Sequence, residues 1–289
     1  MIRTAEISKL AHRLGLGDKT IEKDYVLTWV LLAIAAASLN DILVFKGGTA
    51  IKKMYIPDYR FSEDLDFTLM QPHITNADLL VAIEEVFPWL TREANITLST
   101  RKVEEHAGGN PTIYLNYVGP LQADINSRFL KVDISRDETL VFPVEKKPVR
   151  SSYSDCRTQR SALAVYSLEE ILAEKLRSLL TRTEPRDLYD IYFLLTNQMV
   201  DVEQMSFSLA PKFEAKGLVV GDLRTILGRR QATFQKIWKS RLDGQMPIIP
   251  ELEDVVRETN RIIQKYFYEK GDNLHRWFIK KQQIFPGCV

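Results

Sequence analysis

The stretch FKGGTAIKKMYIPDYRFSEDLDF, residues 45–67, joins a glycine pair to two aspartates that one leucine separates. An apolar run ends at the glycine pair, and the residues that follow the pair favour a helix. Because successive side chains of a strand point to opposite faces, Asp64 and Asp66 should share one face while Leu65 points into the core. The stretch therefore predicts a strand, a glycine turn into a helix, and a second strand with two adjacent carboxylates.

The chemistry of this pattern is that of phosphate transfer. Two adjacent carboxylates repel each other unless a cation lies between them, and Mg²⁺, with Mn²⁺ as the alternative, would supply that charge beside nucleotide phosphates. At Gly47 and Gly48 the backbone can approach a triphosphate closely and direct N–H groups at it. A solvated strand face and an ordinary turn explain each half alone, whereas the ordered combination predicts phosphoryl or nucleotidyl transfer.

A third carboxylate is expected from a neighbouring strand. In RFLKVDIS, residues 128–135, apolar residues alternate with polar ones, which places Asp133 on the face opposite the apolar set. Asp133 is the candidate third metal ligand, and Asp124 is its competitor. An ordinary exposed strand carboxylate stays the alternative for both.

The composition is that of a folded chain with two lobes. Its 289 residues, 45% hydrophobic and 27% charged, can bury a full core. Two cysteines, Cys156 and Cys288, and four scattered histidines, among them His275, form neither a disulfide framework nor a zinc motif. The longest apolar stretch, residues 26–39, is shorter than the roughly 20 residues that a bilayer span needs. We therefore expect a cytoplasmic protein without membrane contact.

Two halves of different character follow from the patterning. Residues 1–160 should form N-terminal helices and a lobe of mixed strands and helices, and residues 161–289 should form a helical lobe with a basic face. The polar stretch KPVRSSYSDCRTQRSA, residues 147–162, is either a linker or an ordered surface loop. The predicted fold class is α+β.

One lysine of the helical half stands in an apolar seam. In SLEEILAEKLRSLL, residues 167–180, Lys175 falls among leucines and an isoleucine at three- and four-residue spacing. Its ammonium either extends to solvent or meets a phosphate or carboxylate. Asp187 and Asp190, further along the chain, leave the same choice between a structural and a functional role open.

The C-terminal region is basic. Residues 223–281 contain 13 Lys and Arg against 7 Asp and Glu, a balance of +6, so with a net charge of +1 the rest of the chain carries −5. Phe234 and Trp238 are interleaved with the first basic residues, which is compatible with a track for RNA; a solvated helix face is the alternative. The candidate RNA-binding residues are Arg224, Arg229, Arg230, Lys236, Lys239 and Arg241.

Four motifs in this order resemble those of the AbiEii/AbiGii nucleotidyltransferase toxins, MenT-type proteins included: KGGTAIKKMY, RFSEDLDF, EEILAEKLRSLLTR and RDLYDIY. The resemblance runs from about Glu22 to Leu195. It implies a DNA polymerase β-like nucleotidyltransferase lobe with a mixed sheet, followed by a helical lobe. The segment EKDY, residues 22–25, also matches a family element, but the resemblance assigns no role to Lys23 or Asp24.

The resemblance also implies roles for particular residues. It assigns the nucleotide-binding turn to Gly47–Thr49 and metal binding to Asp64 and Asp66. It implies active-site roles for Lys175, which would reach the nucleotide phosphates from the second lobe, and for Asp190. The candidate nucleotide-binding residues are Lys46, Gly47, Gly48, Thr49, Ser62 and Lys175.

The function that the resemblance implies is that of a bacterial toxin of a type IV toxin–antitoxin or abortive-infection system. Such a toxin would transfer nucleotides from an NTP to RNA, as MenT-type relatives do to the tRNA 3′ end, and its antitoxin need not contact it. Two alternatives stay open. One is transfer of the γ-phosphate to a protein hydroxyl, with Ser62 as a possible acceptor unless its hydroxyl only caps the turn before the strand. The other is a catalytically silent protein that binds nucleotide or RNA.

Overall fold

A computed structural model describes residues 1–156 and 161–269, except the side chains of Tyr268 and Glu269. His275, Cys288, four residues of the predicted linker and the end of the basic region lie outside the described residues. The strands are β1 Leu43–Lys46, β2 Asp64–Leu69, β3 Thr97–Glu105, β4 Pro111–Val118, β5 Phe129–Ser135, β6 Val144–Pro148 and β7 Ala162–Tyr166. The helices are α1 Thr4–Leu14, α2 Asp18–Ala36, α3 Gly47–Ala50, α4 Asn76–Glu84, α5 Phe87–Ala94, α6 Leu168–Thr181, α7 Pro185–Thr196, α8 Val202–Ser206, α9 Ala210–Glu214, α10 Leu223–Leu242 and α11 Leu252–Ile263.

The seven strands form one mixed sheet in the order β3-β4-β5-β2-β1-β7-β6. The pairs β2–β5 and β1–β7 are parallel, and the other neighbours are antiparallel. The short strand β1 is buried along its whole length, as its apolar sequence predicts. A mixed sheet followed by helices confirms the predicted α+β class.

The chain divides into two compact units. Among the described residues, the first comprises Met1–Glu138, Pro143–Ser167 and Asp243–Ile248, and the second comprises Thr139–Phe142, Leu168–Leu242 and residues 249–269. The expected boundary at residue 160 would assign β7 to the helical half. In the structure β7 belongs to the sheet, because its five residues pair antiparallel with β6 on one side and parallel with β1 on the other.

Two stretches of the first unit depart from the sequence expectation. The helical pattern expected to run to Pro88 breaks after Glu84, and α5 starts again at Phe87 with Pro88 in its first turn, where no N–H is needed. Strand β3 has only two apolar residues, Leu98 and Val103, so its apolar pattern is weak, and it forms because it pairs with β4 along its length.

Helix α2 is buried almost throughout its length and packs against α1, α5 and β7. It confirms the buried helix expected from the longest apolar stretch, and no described helix is long and apolar enough to cross a membrane. The helix also buries two acidic residues of the EKDY segment. Glu22 forms an ion pair with Arg128 and accepts the Leu121 N–H at 2.6 Å.

Asp24 is the second buried acid, and its partner lies in the helix after the glycine turn. Lys53 Nζ lies 2.7 Å from Asp24 Oδ2, and both side chains are at most 5% exposed. The Tyr153 hydroxyl donates to the same carboxylate at 2.7 Å, and Lys53 also donates to the Thr28 hydroxyl at 2.8 Å. Asp24 thus has a structural role, which ties α2 to the segment that follows the glycine turn.

In the second unit, the main helices α6, α7, α10 and α11 pack against one another. A buried ion pair between Glu170 and Lys212 at 2.6 Å joins α6 to α9. The same Glu170 carboxylate accepts the N–H groups of Val141 and Phe142, at 2.9 and 2.8 Å. These bonds explain why residues 139–142 belong to the helical unit although they precede β6.

We expect Asp24→Ala to lower the free energy of unfolding by about 3–5 kcal/mol, because it leaves the buried Lys53 ammonium without its counter-charge. The double variant Asp24→Leu, Lys53→Met should recover most of this loss, since it removes both charges together. Urea unfolding measures both. The control Asp254→Ala removes an exposed partner of Arg257 and should hardly change the midpoint. A double variant no more stable than Asp24→Ala would contradict this account.

Candidate active site

A row of polar side chains crosses four neighbouring strands of the first unit. Asp66 on β2 lies opposite Lys46 on β1 and opposite Asp133 on β5. Asp133 in turn lies opposite Thr112 on β4. Residues opposite each other in paired strands project to the same face, so these four side chains are neighbours. Leu65, which lies between Asp64 and Asp66 along β2, is fully buried on the other face of the sheet.

The next row places a lysine among the carboxylates. Asp64 lies opposite Lys131 on β5, and the Lys131 ammonium is 2.6 Å from Asp133 Oδ2. Burial by itself would lower the pKa of Lys131, but Asp133, Asp64 and Asp66 together raise it above its ordinary value. The carboxylates therefore already attract one cation. The strand pattern predicts that Lys131 shares the face of Asp133, but it assigned the lysine no role; its contact with the carboxylates is a finding of the structure.

The two candidates for the third carboxylate have different surroundings. Asp133 lies beside Asp66 and accepts a hydrogen bond from the Thr112 hydroxyl at 2.5 Å as well as one from Lys131. Asp124 is exposed and caps the 3₁₀ turn Ile125–Ser127 by accepting the Asn126 N–H at 2.9 Å. Asp133 is thus the candidate with the right position, and Asp124 has a local structural role.

Carboxylate oxygens that share one face are the donors that Mg²⁺ prefers, so the chemistry of this donor set fits a divalent cation. The Lys131 ammonium, held by Asp133 and attracted by the two aspartates of β2, shows that positive charge is favoured there. Among residues 1–156 and 161–269, no three acidic, histidine or cysteine side chains form a ready cage for a metal ion. Asp133 could serve as a third ligand only if the ion pair between its carboxylate and Lys131 were broken.

The glycine turn is packed directly against the carboxylate of Asp66. Gly47 has a φ of 80°, and a Cβ built on it would lie 2.5 Å from Asp66 Oδ2. Glycine is therefore required at this position by backbone conformation and by space. The Thr49 hydroxyl donates to the backbone carbonyl of Asp64 at 2.6 Å, which joins the turn to the start of β2. Gly48 is buried in α3 beside them.

Lys46 and Ser62 flank this turn. Lys46 is 5% exposed; its ammonium donates to the Ser135 hydroxyl at 3.0 Å, lies 3.9 Å from Glu138 and faces the Tyr166 ring at 5.8 Å. Ser62 is half-buried in the loop before β2. The structure brings both near the ends of the two strands, and their roles toward a nucleotide stay predictions.

Lys175 and Asp190 belong to the second unit, where they form a buried cluster with Asp187. Lys175 Nζ lies 2.6 Å from Asp187 Oδ1 and 3.1 Å from Asp190 Oδ2. Arg182 donates to the other oxygen of Asp187 at 2.7 Å. Burial would raise the pKa of Asp187, but Lys175 and Arg182 hold it well below its ordinary value. Lys175 thus meets carboxylates rather than solvent, and its contact with nucleotide phosphates stays a prediction.

The basic residues of α10 are mostly exposed. Arg224, Arg229 and Lys236 lie on its surface, together with Lys239, 3.8 Å from Glu251, and Arg241. Arg230 is half-buried, and its guanidinium donates to the Leu180 carbonyl at 2.7 Å. The two aromatic residues interleaved with these cations are buried, so neither ring offers a face to a base. Trp238 and Phe234 are 2% and 0% exposed because they face the helical core.

Comparisons with known proteins agree with this geometry. Residues 29–261 match the model of a family described as nucleotidyl transferase AbiEii toxin, type IV toxin–antitoxin system. The fold is similar to that of MenT4, a nucleotidyltransferase toxin from Mycobacterium tuberculosis, with a TM-score of 0.68 and 16% identity over 96% of this chain and 93% of that one. It is also similar to JHP933 from Helicobacter pylori, with a TM-score of 0.54 and 19% identity over 92% and 99% of the two chains. No curated protein matches the sequence.

We expect Gly47→Ala to displace Asp66 and to weaken nucleotide binding at least about tenfold, since a 2.5 Å contact cannot be kept and a non-glycine residue is strained at this φ by about 1–3 kcal/mol. Titration with a fluorescent NTP analogue and thermal unfolding measure the two effects. Gly217→Ala is the matched control, because Gly217 has a φ of 68° and no atom within 4 Å of its Cβ position. This control should lose stability only. Unchanged nucleotide affinity in Gly47→Ala would contradict the role of the turn.

Proposed function

The chain belongs to the AbiEii nucleotidyltransferase toxin family of type IV toxin–antitoxin systems, and on that premise we propose that it transfers nucleotides from an NTP to RNA, with the tRNA 3′ end as acceptor. The observation that carries the site is the carboxylate row of Asp64, Asp66 and Asp133 packed against the Gly47 turn. A glycine turn can bind the phosphates of a triphosphate through its backbone N–H groups, and adjacent carboxylates can bind the accompanying cations.

In this proposal the carboxylate row holds the cations and the glycine turn holds the triphosphate. Mg²⁺, or Mn²⁺, would neutralise the phosphate charge as it develops during transfer. Asp64 and Asp66 would be the principal ligands, and Asp133 would be a third ligand if its ion pair with Lys131 were broken. The backbone of Gly47–Thr49 binds the β- and γ-phosphates, which directs the α-phosphate toward the carboxylates.

The reaction is a displacement at the α-phosphorus. The RNA hydroxyl oxygen forms a bond to that phosphorus, the bond to the bridging oxygen of the β-phosphate breaks, and pyrophosphate leaves. The hydroxyl proton passes to a carboxylate of the row. Positioning and charge neutralisation supply most of the acceleration in such reactions, and in this proposal the carboxylates and the glycine turn contribute to both.

The exposed cations of α10 support a nucleic-acid acceptor. Arg224, Arg229, Lys236, Lys239 and Arg241 can neutralise phosphates along a strand, which provides affinity rather than sequence choice. Arg230 would contribute less, because its guanidinium is bonded to a backbone carbonyl. As a bacterial cytoplasmic toxin, the protein would be countered by an antitoxin that need not touch it.

Asp64→Asn and Asp66→Asn should each reduce transfer of an α-labelled nucleotide to cellular RNA at least about a hundredfold, because each removes a charge from the cation site. Their unfolding midpoints should be unchanged or higher, since one of two crowded carboxylates becomes neutral. Asp124→Asn is the matched control and should keep full activity. Loss of folding in the first two variants would indicate a structural role instead.

The same assay separates the alternative functions. Transfer of a γ-label to the protein, without an α-label on RNA, would favour phosphorylation of a hydroxyl such as that of Ser62. Binding of RNA and NTP with no transfer of either label in Mg²⁺ or Mn²⁺ would favour a catalytically silent protein. Either result from folded protein would overturn the proposed reaction.

The double variant Arg229→Glu, Lys236→Glu should weaken RNA binding broadly and lower the slope of log affinity against log salt by about one per lost phosphate contact. Nucleotide affinity should stay unchanged, because the glycine turn lies in the other unit. Fluorescence anisotropy at several salt concentrations measures the slope. Arg92→Glu, an exposed residue of α5, is the control for the charge change. A slope equal to that of the unmodified protein would show that this face is only solvated.

A further inference from the structure

Phe129 is an aromatic residue that the fold leaves exposed on the active-site face of the sheet. It begins β5, is 39% exposed, and lies on the same face as Lys131 and Asp133 because it precedes them by two and four residues. The Tyr114 ring supports it from β4 with 5.7 Å between ring centroids. An exposed aromatic ring beside a carboxylate row has no evident purpose in the fold itself.

Two cations stand over this ring. The Arg101 guanidinium lies 5.1 Å from the Phe129 centroid, and the Lys23 ammonium lies 5.8 Å from it. Arg101 occupies an irregularity between Thr100 and Lys102 where β3 changes register against β4. Bulges of this kind redirect a side chain and are common next to active sites. Lys23 comes from the EKDY segment, whose role the family resemblance leaves open.

Phe129 forms one wall of an open cleft of about 440 Å³ in the first unit. The cleft is also lined by Lys19, Lys23, Arg128, Glu63 and Tyr117. Lys23 pairs with Glu63 at 3.1 Å, and Arg128 pairs with the buried Glu22. Lys19 and Arg101 are exposed and form no ion pair with a described residue. The cleft therefore combines excess positive charge with a partly exposed aromatic ring.

The cleft and the glycine turn lie on opposite sides of the two aspartates. In the sheet order, β2 stands between β1, which leads into the Gly47 turn, and β5, which begins at Phe129. Lys131 is directly opposite Asp64, and Phe129 is two residues away along β5, which is about 7 Å at the rise of a strand. A displacement in line requires the attacking group on the side away from the leaving pyrophosphate. On the proposed placement of the triphosphate at the Gly47 turn, which contacts Asp66 from the β1 side, the RNA hydroxyl would approach from the β5 side, where Phe129 lies.

We propose that this cleft binds the 3′-terminal nucleotides of the single-stranded RNA acceptor, with one base stacked on Phe129 and phosphates near Arg101, Lys23 and Lys19. The inference rests on the proposed nucleotidyl transfer and adds to it the binding site of the attacking strand. Stacking on an aromatic ring with flanking cations is the usual means of holding single-stranded nucleic acid without sequence choice. The incoming NTP is assigned to the Gly47 side, since its phosphates need the turn.

The test measures binding of a 5′-fluorescein-labelled, single-stranded RNA of about ten nucleotides. Phe129→Ala should weaken its affinity about tenfold, whereas Phe129→Trp should retain it because stacking is preserved. Arg101→Glu should also weaken it and flatten its salt dependence. Phe207→Ala is the matched control, since Phe207 is 52% exposed on the other unit. Affinity for a fluorescent NTP analogue and the unfolding midpoint should stay constant in all of these variants.

Three results would overturn the inference. RNA affinity in Phe129→Ala and Arg101→Glu equal to that of the unmodified protein would show that the cleft does not hold RNA. An equal loss of NTP affinity would assign the cleft to the incoming nucleotide. Competition by polyglutamate that matches competition by RNA would show a site for acidic polymers without base stacking.

The design separates this inference from the proposed reaction, because binding needs no turnover. RNA binding that depends on Phe129, in a protein that transfers no nucleotide, would contradict the reaction alone. Transfer to RNA with the same KM for RNA in Phe129→Ala as in the unmodified protein would contradict the binding site alone.

Discussion

The pairing of β2 between β1 and β5 is the constraint on which the active-site face depends. Leu65 and Phe67 of β2 are fully buried, so hydrophobic burial fixes which face the aspartates present. The antiparallel register to β1 brings Lys46 beside Asp66, and the parallel register to β5 brings Asp133 there from the other side. A slip of β2 by one residue would turn Asp64 and Asp66 into the core. The same apolar contacts that stabilise the sheet therefore position the chemistry.

Charge is compensated at two levels in this fold. Away from the carboxylate row, buried pairs such as Asp24–Lys53 and Glu170–Lys212 are closed within the protein and bind elements together. At the carboxylate row, Lys131 is only partly buried. It neutralises Asp133 of its own strand β5 and lies opposite Asp64 of the neighbouring strand β2. A partly exposed cation can be replaced by another cation. Removal of a fully buried partner leaves a buried charge uncompensated and lowers the stability of the fold. This difference distinguishes the proposed cation-binding carboxylates from the structural ones.

In the second unit, the residues proposed to take part in catalysis form a buried ionic cluster. Lys175 lies in an apolar seam of α6, yet its ammonium is held by two nearly inaccessible carboxylates of α7. Arg182 adds a second positive charge to Asp187, and together these cations keep that carboxyl ionised in spite of its burial. Any loss of activity on replacing Lys175 therefore has to be separated from loss of the α6–α7 contact. The pattern of residues identifies the cluster, but it does not separate these two contributions.

The sequence by itself determined the order of strand, glycine turn and strand, the faces of Asp64 and Asp66, the buried α2, and the change from a mixed sheet to helices, because these depend on local periodicity and backbone preference. It also placed Asp133 on a polar strand face, although it left Asp124 as a competitor. Only the tertiary structure decided that β7 joins the sheet and that Trp238 and Phe234 face the core. It also decided that Asp24 forms an ion pair with Lys53 and that Gly47 contacts Asp66. These facts depend on contacts between residues far apart in the chain, whose distances no local pattern encodes.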